Sequence, residues 1–244
     1  MTALRAETWC ALRRLARRPT ARGALVMDLV LLAYAAFVHP VAAASDALWA
    51  ATEIASLTLL VAAAGILADD RERGRLAVPA THPPGAAVWV TGRWLAVWAV
   101  AAGTLLLSVA ALLPVASSRG PAAGLLLGVL VAAAHLAALA ALAVGLSCRL
   151  GSTAQVLLLV ALLVIGALPP AIAGVVAPEV PLEAEATVLW SVLPTPWALS
   201  RLREWTLGGA AAPLQALALA LQPWLWLGTG ARHLAGVELA PRGM

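Results

Sequence analysis

Asp69-Asp70-Arg71-Glu72-Arg73-Gly74-Arg75-Leu76 stands between two long apolar segments, and apart from Leu76 every position in it is charged or glycine. The chain as a whole is only 11% charged, so this cluster is an anomaly with a physical consequence. Such a segment is too costly to hold in hydrocarbon and must meet water. It continues through Pro79, His82, Pro83 and Pro84 to Arg93, where the next apolar stretch begins. The segments on either side must therefore be membrane spans that deliver it to one surface.

Composition agrees. With 62% apolar residues and a mean hydropathy of +0.92, the expected fold is an all-α integral membrane protein. The apolar runs lack the strict alternation of barrel strands, so helices must satisfy the backbone inside the lipid. Six spans can be drawn, at Gly23–Pro40, Ala47–Ala68, Trp94–Val115, Ala122–Cys148, Thr153–Val176 and Ala210–Gly230. Each reaches about 30 Å at a rise of about 1.5 Å per residue, the first only marginally. No cleavable signal peptide is expected, because the basic N-terminal arm is long and the first apolar run continues into a hairpin.

Arginine sets the orientation. With the N-terminus in the cytoplasm, 13 of the 16 basic residues fall inside, leaving Arg119, Arg201 and Arg203 outside. That bias predicts cytoplasmic termini on both ends, and in a bacterium places the chain in the inner membrane. Anionic headgroups account for the net charge of +4, so no nucleic-acid partner is expected.

The chain has no lysine. A P-loop needs that lysine on the nucleotide phosphates, so a P-loop nucleotide site within this chain is excluded, as is lysine Schiff-base chemistry, and ATP hydrolysis is expected in a partner subunit. The two cysteines, Cys10 and Cys148, fall at the expected cytoplasmic face and form neither a disulfide nor a metal site. Asp69, Asp70 and Glu72 could hold Mg²⁺, but no second acidic motif accompanies them, and no catalytic residue is assigned. No cofactor is expected in the chain.

Outside the spans, residues 3–18 suit an amphipathic helix, with Leu4, Ala11, Leu12 and Leu15 on one side and Arg13, Arg14 and Arg17 opposite. Residues 1–22 are thus read as an interfacial element and 23–244 as the transmembrane domain. The first two spans are expected to turn near Ser45-Asp46. Gly124 and Gly128 form a G-x-x-x-G step that permits close helix contact. Residues 177–209 mix Glu179, Glu183, Glu185, Arg201, Arg203 and Glu204 with Trp190, Trp197 and Trp205, and read as an outer amphipathic hairpin split by Pro194-Thr195-Pro196.

Four ionisable residues fall within or near spans. Asp28 is close enough to the cytoplasmic end to reach headgroups or Arg22, and His39 is interfacial. Glu53 is the preferred polar contact of a pathway or a subunit interface, with a locally paired carboxylate as the alternative. His135, near mid-membrane, is a pathway candidate or a helix-packing hydrogen-bonder.

Order and motif together resemble the permease subunits of type-2 ABC transporters. Those proteins show an acidic-basic run, a G-T-L-E element, a following proline and a basic residue at the next helix. Glu72-Arg73-Gly74-Arg75-Leu76-Ala77, Pro83 and Arg93 fall in matching places, with Arg75 for the usual Thr and Ala77 for the usual Glu. Pro194-Thr195-Pro196 through Arg201, Leu207 and Gly208 is similar to the family's stretch before its last span. The resemblance implies that residues 69–93 form a coupling loop. Asp70, Arg71, Glu72, Arg73, Gly74, Arg75, Leu76, His82 and Pro83 would dock on separate cytoplasmic ABC ATPase subunits that bind ATP and Mg. It also implies a second copy or related permease as partner, and export of a hydrophobic or amphipathic substrate such as a drug, lipid, glycolipid or peptide. Asp69-Asp70, Gly74-x-Leu76 and Arg93-Trp94-Leu95-Ala96-x-Trp98 also resemble the haem-exporter-type permease of cytochrome c maturation. From a different class comes a membrane scaffold that binds a partner through the same loop and transports nothing.

Overall fold

A computed structural model describes residues 2–37, 43–64, 66, 85–116, 122–162, 164, 193–194, 199, 202, 206 and 213–239. Among them the chain is helical almost throughout: α1 (Ala3–Arg17), α2 (Pro19–Phe37), α3 (Ala44–Ala63), α4 (Gly85–Leu112), α5 (Ala122–Ser147), α6 (Ser152–Leu162) and α7 (Pro213–Leu239). A short 3-10 turn, Leu113–Val115, extends α4.

Four of these helices are long and apolar enough to cross a membrane: Pro19–Phe37, Ala44–Ala63, Gly85–Val115 and Gly124–Ser147. The protein is therefore a multi-pass helical membrane protein. The fifth expected span is described through α6, and the rest of Thr153–Val176 lies outside the described residues save Val164. α7 contains most of the sixth expected span and is long enough to cross. Gln215, Gln222 and Pro223 interrupt its apolar character, and it does not count among the four.

The junction of α1 and α2 follows from one residue. Arg18 takes an extended backbone, φ −72° and ψ 134°, as a residue preceding proline prefers. Pro19 then opens α2, where its ring pre-sets the helical φ and its missing N–H costs nothing. The expected turn at Ser45-Asp46 is displaced, because both residues belong to the first turn of α3. The Asp46 carboxylate accepts the Ala43 N–H at 3.1 Å, which satisfies an end group and draws the helix start back to Ala44.

α4 starts at Gly85, well before the apolar stretch that opens at Trp94. Residues 85–93 are thus helix. Gly85 carries the turn into it with φ +81°, a conformation that suits glycine alone. From Gly85 to Val115, 31 residues span about 46 Å at the α-helical rise. That exceeds a hydrocarbon core of about 30 Å. The stretch after Arg93 is uncharged and by itself long enough to cross that core, so residues 85–93 are the length that hydrocarbon does not require.

α3, α4 and α5 form the centre of the bundle. Leu59, Val97, Leu105, Leu136, Leu139 and Leu142 are all buried in one continuous core. Two indoles pin α4 to α5: Trp94 Nε1–H donates to Ala137 O at 2.9 Å and Trp98 Nε1–H to Ala133 O at 3.0 Å. Their rings stack with centroids 6.2 Å apart. The pairing falls as one number rises and the other drops, so α4 and α5 run antiparallel.

Small residues set the other contacts. Gly128 meets Leu48 of α3, where a Cβ would lie 2.5 Å from Cδ2, which matches the close approach expected of the G-x-x-x-G step. A close approach to backbone occurs between Gly145 of α5 and α7, where a Cβ would stand 2.7 Å from Trp226 O. α2 lies at the periphery and exposes Leu25, Leu29, Tyr34 and Phe37, as a lipid-facing helix does.

Candidate functional site

The charged segment connects the end of α3 to Gly85 of α4, and the described residues on its two flanks are tied to α1 or to the junction that follows it. On the departing side, Arg18 Nη1 donates to Ala64 O at 3.0 Å, one of the carbonyls that the end of α3 leaves without an intrahelical partner. A cation there also complements the negative end of the helix dipole. Gln155, the fully buried amide of α6, donates to Ala63 O at 3.2 Å and to Ala143 O at 2.9 Å. The end of α3 is thus held from two sides.

On the returning side, Arg93 is 3% exposed. Its Nε lies 3.5 Å from Glu7 Oε1, and its guanidinium sits 4.9 Å from the Trp89 ring centroid. A buried guanidinium is tolerated only with such partners. Glu7 is the sole acid on α1, and it faces α4. Gly92 makes the approach possible, since a Cβ there would lie 2.7 Å from Glu7 Cγ and 3.3 Å from Thr8 N. Ala11 and Leu15 complete the docking by burying the apolar side of α1, and full burial of Leu15 contributes about 2 kcal/mol. The expected helix over 3–18 and its apolar side are therefore present, with its amphipathic face against protein at Ala11 and Leu15.

The residues expected to dock on a partner, Asp70, Arg71, Glu72, Arg73, Gly74, Arg75, Leu76, His82 and Pro83, lie outside the described residues. So do His39 and most of the 177–209 hairpin.

The interior candidates do not converge. Glu53 is exposed on the outer side of α3, and the Trp49 indole N–H one turn away donates to its carboxylate. His135 is 2% exposed within α5, and among the described residues its Nδ1 meets no hydrogen-bond partner. The two therefore belong to different environments, one on the surface of the bundle and one in its core. Asp28 does not turn to Arg22 or to the headgroups. It is buried, and Thr58 Oγ1–H is shared between its two carboxylate oxygens at 2.6 and 2.7 Å. Burial decides this outcome, because a carboxylate out of water needs a donor close at hand.

The cysteines are free. Cys10 is exposed on α1, and Cys148 is buried just past the end of α5. Burial pushes the Cys148 thiol up to about 12 despite the opposing pull of Arg149. Among the described residues no three His, Cys, Asp or Glu side chains gather as metal ligands would.

Sequence reasoning missed three ties, Glu7–Arg93, Arg18–Ala64 and Gln155–Ala63. A signal existed for the first: a single acid on an otherwise basic helix, and a lone arginine at the foot of an apolar stretch. Nothing in the sequence marks the carbonyls of Ala63 and Ala64 as acceptors. The sequence matches no protein-family model and no curated protein.

Proposed function

We propose that this chain is the membrane-spanning permease subunit of an ATP-driven ABC exporter. The observation that carries this reading is the anchoring of both flanks of the charged segment, with Ala64 held by Arg18 at the α1–α2 junction and Arg93 of α4 held by Glu7 of α1. A segment that merely fixed topology would need no such ties. A segment that receives force from a partner needs its two attachments to move with the bundle. Displacement entering at Gly85 passes along α4 and, through Trp94 and Trp98, into α5.

In this reading residues 70–83 dock on separate ATPase subunits, which supply ATP and Mg, on the cytoplasmic side of a bacterial inner membrane. Six spans place both termini on that side. A second copy or a related permease completes the path. The interior is nearly free of charge, which favours a hydrophobic or amphipathic substrate. The resemblance of the charged segment and of the stretch before α7 to type-2 permeases supports the same assignment.

The test is co-purification through a tag on this chain, expressed with ATPase subunits encoded beside it. A nucleotide-binding partner with vanadate-sensitive hydrolysis is expected, and the Glu72→Arg, Arg73→Glu double variant should lower stimulated hydrolysis while the helical bundle persists. Coupled turnover that survives this charge reversal removes the segment from the mechanism. A folded chain that captures no ATPase leaves the scaffold reading.

A further inference from the structure

Between α1 and α4 lies a groove of about 540 Å³, a volume within the range of single-ligand sites. Leu4, Leu12 and Leu95 make its apolar wall, and Thr2, Arg5 and Thr8 its polar rim. We infer that this groove binds one anionic glycerophospholipid, its acyl chain along the leucines and its phosphate at Arg5. This does not depend on the exporter reading.

Depth, charge and shape argue for that occupant. Leu95 follows Trp94, where the uncharged part of α4 begins, while Arg93 and the residues before it are length that hydrocarbon does not require. The groove thus sits at the boundary where a tail and a headgroup meet. Trp9, half exposed beside it, is the residue type that favours that depth.

Among the described residues the rim carries a cation with no acid against it. Glu7, the one carboxylate on α1, is turned to Arg93. No side-chain hydrogen bond or ion pair holds Arg5 among the described residues, whereas Arg13 stacks 5.0 Å from the Trp9 ring. Arg5 is exposed and supplies a charge-assisted donor for a phosphate oxygen. A soluble anion would use Arg5 and leave Leu4, Leu12 and Leu95 facing water, while a zwitterionic lipid would place its own cation near Arg5. An anionic lipid satisfies both walls.

The experiment uses the full chain purified in detergent, with lipid retention counted by native mass spectrometry. The probes are dioleoyl phosphatidylglycerol and dioleoyl phosphatidylcholine, which share tails and differ in charge. The wild type should retain one phosphatidylglycerol at about tenfold lower lipid concentration than phosphatidylcholine, and Arg5→Glu should erase that preference. Leu95→Trp, which fills the apolar wall, should reduce retention of both lipids and keeps the test available should Arg5→Glu fail to fold. Arg17→Glu, on the last turn of α1 and outside the groove lining, should leave the preference unchanged. Equal loss in the Arg5 and Arg17 variants means diffuse attraction to a basic helix and overturns the site. So does equal retention of the two lipids by the wild type. Displacement of the lipid by glycerol 3-phosphate at matched concentration makes the rim an anion site, and the lipid assignment falls.

Discussion

Replacing Gly92 by valine should detach α1 from the bundle. The added Cβ would stand 2.7 Å from Glu7 Cγ, 3.0 Å from Glu7 Cβ and 3.3 Å from Thr8 N. Carbon pairs rest at about 3.5–4.0 Å. Rotation of the Glu7 side chain relieves the first clash only, because Cβ and the backbone nitrogen are fixed to α1. The helix must back away by about 0.5–1 Å, and the 3.5 Å contact between Arg93 and Glu7 opens with it. Overpacking of this kind costs about 1–3 kcal/mol. Valine recovers a fraction of that by its better helix propensity, about 0.5 kcal/mol relative to glycine. A net loss near 1.5 kcal/mol raises the undocked population about tenfold. Cys10 provides the probe, being exposed on α1 while Cys148 is buried. A spin label there should gain a mobile component in Gly92→Val. Gly103→Val is the control, since a Cβ at Gly103 meets nothing within 4 Å. Equal label mobility in Gly92→Val and wild type, with the same melting temperature, would refute the close approach of α1 to α4.

Three further outcomes follow from single contacts. Gly145→Leu drives a side chain into the Trp226 carbonyl and should lower the melting temperature in detergent by several degrees, as α5 and α7 part. Thr58→Val removes the hydroxyl donor of Asp28; a cost of about 1–3 kcal/mol is expected in thermal unfolding, and adding Asp28→Asn should return part of it. With the Cys148 thiol raised to about 12, its thiolate fraction at pH 8 is roughly one in ten thousand. Maleimide should therefore label the native chain once, at Cys10, the Cys10→Ser variant not at all, and the unfolded chain twice.

The elements of this fold were legible where their signals are local. The apolar side of α1 is written at helical spacing in Leu4, Ala11, Leu12 and Leu15, and Pro19 marks its end. Long apolar runs announce α2 to α5, because lipid admits little else. Boundaries were less legible. Ser45 and Asp46 look like turn residues, yet Asp46 serves as an end-group acceptor inside the helix, and only the position of Ala43 distinguishes the two. Residues 85–93 look like loop because Arg93 interrupts the apolar run, but its charge is absorbed by Glu7 and Trp89. The partner that permits a buried charge sits far away in sequence, which no local pattern reveals. Asp28 shows the same principle in reverse: Arg22 was near in sequence, and Thr58 was near in space.

The two indole bonds from α4 to α5 carry one more implication. Their acceptors, Ala133 O and Ala137 O, are one helical turn apart, as are the donors Trp94 and Trp98. Backbone carbonyls repeat along α5 with that same period, so sliding α4 by a fraction of a turn breaks both bonds, and a full turn of about 5.4 Å offers them new acceptors. Any sliding of α4 along α5 would therefore favour whole-turn steps, set by helix geometry.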